Sequence, residues 1–452
     1  MRRMAFPSKT FSLATFIISC LLITPALADS VSLEQTISAR YSARSWTSDS
    51  ISDVQLLEVL RSGYGYYGDH RSIPQVGNAY SLDLFVANAT GTYRYVPEQN
   101  TLTVHDLSIN KETIRSNFGQ SYVADANAVI LIIWNQTRMS NQYYASAEAG
   151  LVVQNIYLAA VTLNLGTVCV GMISSNGLRS ALSLPATMTP LLAMPLSYPE
   201  SPYSAATPDY TRMTGNLPPV QISQMSFTDA LNNMLYAQSW SNQNLSAQEL
   251  SQLLWAAYGY SSAGHRTVPS AYNSYPTKIW FLNATAAYEF IPQTHSVTLK
   301  LQGDKRLEIA TALGSQNLAN ASTVFLVIYD SSLGGDGGAV SHEFPEVEAG
   351  AIAQNILLEA TAWDLSGNMV SQGLEEWNGA GAASIRNILG LSVSLVPLYA
   401  VPVGHDGVVP EVYSLIVITA LMVATSIATA FYVVRSRKRL KESNCTETAD
   451  KQ

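Results

Sequence analysis

Glu148-Ala149-Gly150-Leu151-Val152-Val153-Gln154-Asn155-Ile156-Tyr157-Leu158 returns as Glu348-Ala349-Gly350-Ala351-Ile352-Ala353-Gln354-Asn355-Ile356-Leu357-Leu358, 200 residues later (348 minus 148). Self-similarity at long spacing is the first thing to settle, because it fixes the unit of folding. Working outward, His70-Arg71-Ser72-Ile73-Pro74 is matched by His265-Arg266-Thr267-Val268-Pro269, and Asn78 and Tyr80 by Asn273 and Tyr275. Ala43-Arg44-Ser45-Trp46 is matched by Ala237-Gln238-Ser239-Trp240, and Leu192-Ala193-Met194-Pro195-Leu196 by Tyr399-Ala400-Val401-Pro402-Val403. The order is the same in both halves, so the chain carries one domain twice. Repeat one is expected over 33–199, a Pro/Ser/Thr-rich linker over 200–224, and repeat two over 225–407.

Each repeat has the same predicted elements. A second helix covers Ser52–Arg61 or Ser246–Tyr258, each opened by a serine suited to the N-cap. Strands follow at Leu82–Ala87 or Lys278–Asn283 and at Ala128–Trp134 or Thr323–Tyr329, the latter rich in Val and Ile. A long helix is expected over Ala147–Leu165 or Val347–Leu365, apolar on a wide face. A closing strand covers Leu191–Leu196 or Leu398–Val403. Helices wrapped on a mixed sheet make the expected fold class α+β.

The ends read differently from the body. Arg2, Arg3, an apolar run from Phe11 to Ile23 and Ala26-Leu27-Ala28 make 1–28 a signal peptide; an uncleaved anchor is the alternative, but the run is short for a span. Val412 to Val434 is apolar enough to cross a bilayer core of about 30 Å. Arg435, Arg437, Lys438, Arg439 and Lys441 follow at once, which keeps 435–452 cytoplasmic. The expectation is therefore a single-pass cell-membrane protein with an extracytoplasmic body. Of three cysteines only Cys169 lies in the body, so no internal disulfide forms. Asn-x-Ser/Thr sequons begin at Asn88, Asn135, Asn244, Asn283 and Asn320, and whether they carry glycans stays open. Charged residues make up 13 % of the chain, against about 25 % in soluble domains, and apolar residues 47 %. The formal charge of −8 argues against a nucleic-acid partner.

The ordered motifs resemble the FMN-dependent nitroreductase family, in its branch similar to the SagB-type dehydrogenases. Those proteins open with Arg-Arg-Ser-x-Arg-Ser-Phe, here Arg40-Tyr41-Ser42-Ala43-Arg44-Ser45-Trp46. Their Leu-Leu-Trp-Ala-Ala-x-Gly helix end appears as Leu253 to Gly259, and their Pro-Ser-Ala-Gly-x-x-Tyr-Pro loop as Pro269 to Pro276. The Glu-x-Gly-x-x-x-Gln-Asn helix occurs twice, and Pro402-Val403-Gly404 closes repeat two. The resemblance implies an oxidoreductase with FMN at a subunit interface. One subunit's Arg-x-Ser-x-Arg segment would hold phosphate and ribityl, and the other's Pro-Ser loop would lie beside the flavin. A tandem duplication supplies both subunits in one chain, as an intramolecular pseudo-dimer.

The repeats keep complementary halves of such a site. Arg40 and Arg44 suit phosphate because guanidinium makes charge-assisted forked hydrogen bonds, and alternate residues of an extended stretch point the same way. Repeat two has Met234, Tyr236 and Gln238 there. Conversely, repeat two keeps Pro269, Ser270 and Ala271 where repeat one has Pro74, Gln75 and Val76. One intact cofactor site is expected from Arg40, Ser42, Arg44, Pro269, Ser270 and Ala271, with Glu148 and Gly150 near the flavin ring; its mirror image is expected to be empty. Family members carry a basic residue after the closing strand, and this chain has Leu196 to Glu200 without one. The histidines have no metal-site spacing, and no nucleophile elbow is present. The competing reading is a cofactor-free binding or structural module on the same scaffold; substrate and electron donor stay open.

Overall fold

Serines open the first helices of repeat one and the second of repeat two. Ser32, Ser52 and Ser246 each accept from the backbone three residues on, while Gln35, Gln55 and Glu249 reach back to complete capping boxes. The computed structural model describes residues 31–407 except Leu235, Gln238, 334–342 and Asn378. Repeat one runs α1 (Leu33–Ala39), α2 (Asp53–Tyr64), β1 (Tyr66–Tyr67), β2 (His70–Arg71), β3 (Leu82–Asn88), β4 (Thr92–Val96), β5 (Thr101–Asp106), α3 (Tyr122–Asp125), β6 (Ala128–Asn135), α4 (Gln142–Thr162), β7 (Gly166–Thr167), α5 (Ser175–Ala181) and β8 (Met188–Ser197). Repeat two runs α6 (Phe227–Asn233), α7 (Ala247–Tyr258), β9 (Thr277–Leu282), β10 (Ala286–Ile291), β11 (Ser296–Gln302), α8 (Arg306–Ala312), α9 (Asn317–Asn320), β12 (Thr323–Asp330), α10 (Glu343–Ala362), β13 (Ser366–Gly367), α11 (Ala380–Leu389) and β14 (Leu395–Gly404).

The two six-stranded sheets have one topology, β5-β4-β3-β6-β8-β7 and β11-β10-β9-β12-β14-β13. Even the bulge between β6 and β8 recurs between β12 and β14. The expected mixed sheet is corrected: every ladder among the described residues is antiparallel, and the only parallel pairing is the Tyr236–Gly367 bridge. For β3–β4 and β9–β10 the reason lies in their turns, where Asn88 and Asn283 accept backbone N–H groups two and three residues on. Such Asx turns close hairpins, and hairpins force antiparallel neighbours.

The repeats meet along α4 and α10. A Cβ on Gly150 would lie 2.1 Å from the Val347 carbonyl oxygen, and one on Gly350 would lie 2.3 Å from that of Ala147. Only glycine allows the two backbones this close. About one turn further on, Gln154 donates to Asn355 (2.8 Å) and Gln354 to Asn155 (2.9 Å), a reciprocal pair about a pseudo-twofold axis. One hydrophobic core runs through both repeats, from Leu33 and Ile37 to Tyr399 and Val403. The linker packs onto this body: Leu217 and Val220 are buried, and Ser223 binds the buried Glu34 carboxylate through its amide and hydroxyl.

The fold class needs a second correction. The expected transmembrane helix is not found: among the described residues no helix is long and apolar enough to cross a membrane, and what they form is two α+β units. The two helices of sufficient length, α4 and α10, hold buried Glu148, Gln154 and Asn155 or Glu348, Gln354 and Asn355, all bonded to protein groups, and so belong to the core. The segments 1–28, 412–434 and 435–452 lie outside the described residues.

Candidate functional site

Arg40 ends α1 and crosses to the other repeat. Its Nη2 donates to the carbonyls of Arg266 (2.8 Å) and Val268 (3.4 Å), which lead into the Pro269 loop. Its guanidinium also lies 5.0 Å from the centre of the Tyr157 ring. Although Arg40 is 3 % exposed, Nε and Nη1 have no hydrogen-bond partner. A buried cation with two idle donors is costly unless something anionic meets it.

Two adjoining cavities, of about 220 and 330 Å³, open beside it. Both are lined by Ser42, Arg44, Pro269, Ser270 and Tyr272; the larger also reaches Arg40 and His265, and the smaller Ala271, Tyr157, Cys169 and Glu348. The structure thus brings together Arg40, Ser42, Arg44, Pro269, Ser270 and Ala271 from the two repeats. Their combined space is in the range of cofactor pockets, about 300–1,000 Å³.

Tyr157 organises the repeat-one wall. Its hydroxyl meets Ser42 Oγ (3.0 Å) and accepts from the Cys169 amide (2.8 Å). Burial pushes the Tyr157 hydroxyl and the Cys169 thiol each up to about 12, so neither ionises at neutral pH and Cys169 is no thiolate nucleophile. Arg44 is exposed and donates to the Ser42 carbonyl (3.0 Å). Burial first, then the Arg40 charge, lowers the His265 pKa, which leaves the imidazole neutral at pH 7.

Two expected site residues lie elsewhere. Gly150 is the helix-crossing glycine, and it lines neither cavity. Glu148 is saturated on the repeat-one side by the Ser81 amide (2.8 Å), the Ser81 hydroxyl (2.5 Å) and the Tyr64 hydroxyl (2.5 Å). The carboxyl at the cavity is its twin Glu348. Tyr258 donates to it (2.7 Å), but Pro276 stands where Ser81 would supply an N–H. Burial raises the Glu348 pKa, which favours the protonated acid. The helix motif is thus mainly an inter-repeat module, and the carboxylate follows the Pro-Ser loop of its own repeat.

At the mirrored position the described residues pack against protein groups. Met234 is buried, and Tyr236 donates to the Arg71 carbonyl (3.4 Å), as Arg40 does to that of Arg266. The Tyr236 ring stands edge-on to His70, Val76 is buried, and Met139 and Tyr144 crowd Gly77. Gln238 lies outside the described residues. The sequence comparison missed Tyr157, Glu348, His265 and Tyr272. For Tyr157 the signal was present: its twin in the repeated helix is Leu357.

The chain is similar to known proteins. The family model described as the Nitroreductase family matches residues 37–198 and again 239–405. Over 183 residues, 37 % of this chain and 91 % of the relative, the chain is 30 % identical to a candidate nitroreductase of Methanocaldococcus jannaschii. A solved candidate nitroreductase from Anabaena variabilis superposes with a TM-score of 0.65 at 14 % identity, over 79 % of this chain and 90 % of its own; that likeness is one of fold. Another from Desulfovibrio desulfuricans, solved in complex with FMN, covers 41 % of this chain and 96 % of its own, with a TM-score of 0.31 and 24 % identity.

Proposed function

The chain belongs to the nitroreductase family, and from that premise we propose that it is an FMN-dependent oxidoreductase with one flavin site, shared between the repeats and similar to that of the SagB-type branch. The observation that carries this is Arg40: a buried guanidinium with two unpartnered nitrogens beside a cavity walled by both repeats. These residues fit the cofactor. Arg40 and Arg44 would offset the phosphate charge, and guanidinium forks match phosphate oxygens. Ser42, oriented by Tyr157, adds a donor, while Ser270 and Ala271 leave room where Gln75 and Val76 would intrude. FMN, when bound, supplies the hydride chemistry, and the protein positions and tunes it. Glu348 brings a carboxyl whose pKa burial raises to the cavity wall; Cys169 supplies a wall and no nucleophile.

The missing cation after β8 is what favours the alternative, a cofactor-free module. A visible spectrum separates the two. The purified protein, or the protein after FMN addition and desalting, carries flavin absorption on the first reading. Arg40→Ala loses it with an unchanged circular dichroism spectrum, and Tyr236→Phe at the mirrored position keeps it. A folded, colourless protein that takes up no FMN refutes the flavin reading.

A further inference from the structure

The Pro269 loop holds a tyrosine where its backbone asks for glycine. Tyr272 has φ 54° and ψ 14°, in the left-handed region. Its twin in repeat one is Gly77, with φ 69°. Left-handed backbone is strained for a bulky side chain and free for glycine. Repeat one therefore shows the relaxed solution, and repeat two carries strain on the side with the cavity. Strain kept at a cleft points to a task for the side chain.

The ring is not kept for burial. Tyr272 is 61 % exposed, yet it lines both cavities. It stands edge-on to Phe344 at 6.2 Å, and Phe344 in turn covers Gly171, where a Cβ would come within 2.2 Å of its ring. Met172, 50 % exposed, lines the same smaller cavity. The mouth is thus a rim of two rings and a thioether from both repeats. Such a surface takes a flat apolar face: aromatic rings stack or meet edge-to-face, and thioether sulfur contacts ring edges.

Resting on the flavin reading above, we propose that Tyr272 is a specificity-determining residue, the platform on which the planar aromatic ring of the enzyme's substrate lies. Its strain is retained because glycine offers no ring. The test uses the full chain loaded with FMN and without reductant, probed by calorimetry with benzoate and its saturated counterpart cyclohexanecarboxylate. The unaltered protein prefers benzoate. Tyr272→Gly weakens benzoate binding about tenfold, as expected for a lost ring pair. It leaves cyclohexanecarboxylate and FMN affinity unchanged and raises the thermal midpoint, because the strain is gone. Tyr272→Phe keeps the benzoate preference.

Undiminished benzoate binding in Tyr272→Gly, or no preference in the unaltered protein, overturns the inference. So does a lower thermal midpoint, which would make the ring a packing element, or loss of FMN, which would make it a cofactor contact. Failure of the unaltered protein to take up FMN overturns the flavin reading and this inference with it. FMN uptake with unchanged ring selectivity overturns this inference alone.

Discussion

Gly150→Ala probes the contact on which the shared architecture depends. In an isolated helix this change stabilises by about 1 kcal/mol, so the sign of the effect is diagnostic. Here the new methyl would lie 2.1 Å from the Val347 carbonyl oxygen and 2.9 Å from the Gly350 Cα. Non-bonded carbon contacts settle near 3.5–4.0 Å, so α4 and α10 must part by roughly 1 Å. Overpacking of this kind costs about 1–3 kcal/mol. Parting also stretches the Gln154–Asn355 and Gln354–Asn155 bonds, now 2.8 and 2.9 Å, beyond good geometry. Each buried amide left unsatisfied adds about 1–3 kcal/mol. Set against the propensity gain, the net destabilisation is roughly 2–8 kcal/mol if both bonds are lost. Urea unfolding followed by circular dichroism measures it, and the continuous core predicts a single transition shifted to lower urea. An unchanged or higher midpoint would show that the helices do not cross at these glycines.

Two further outcomes follow from buried polar groups. Tyr157→Phe strips the Cys169 amide of its acceptor and Ser42 of its partner; it should cost about 1–3 kcal/mol in urea unfolding and weaken FMN binding, and a protein of unaltered stability and affinity would contradict the role given to Tyr157. Burial first, and then the nearby Glu34, raises the Glu359 pKa well above the ordinary carboxylate value. The native state therefore binds this proton more tightly than the unfolded chain. Stability is fullest below the ordinary glutamate range, near about pH 4.3, and declines as pH rises through the native value. Glu359→Gln removes that decline, so the variant's advantage grows with pH; stability curves parallel across the pH range would rule this out.

Much of the fold could be read from residues alone, because the duplication supplied an internal comparison. Serine caps, Val/Ile strands and the order of motifs point to the same elements twice, and the structure has them with shifted ends: α4 begins at Gln142 rather than Ala147, where Asn141 accepts the Tyr143 amide. The hairpins after β3 and β9 went unread although β5 and β11 alternate polar with apolar residues, Leu102 and Val104 in one and Val297, Leu299 and Leu301 in the other, so this part of the sheet was legible in the sequence. The candidate site was legible where one side chain decides, as with Arg40 against Met234. It was not legible where a helix face decides. Glu148, Gly150, Gln154 and Asn155 share a helix, and spacing alone does not say whether they face a ligand or a partner helix. The exchange of Ser81 for Pro276, which leaves Glu348 rather than Glu148 at the cavity, matters only once the loop and helix are seen together.

The central claim is that one flavin site is shared between two unequal repeats. Its most direct test is the number of FMN molecules bound per polypeptide at saturation, from flavin absorbance released on denaturation against protein concentration. One per chain is predicted. Two per chain would mean that the Tyr236 side also binds, and none would mean that the Arg40 donors await something other than FMN.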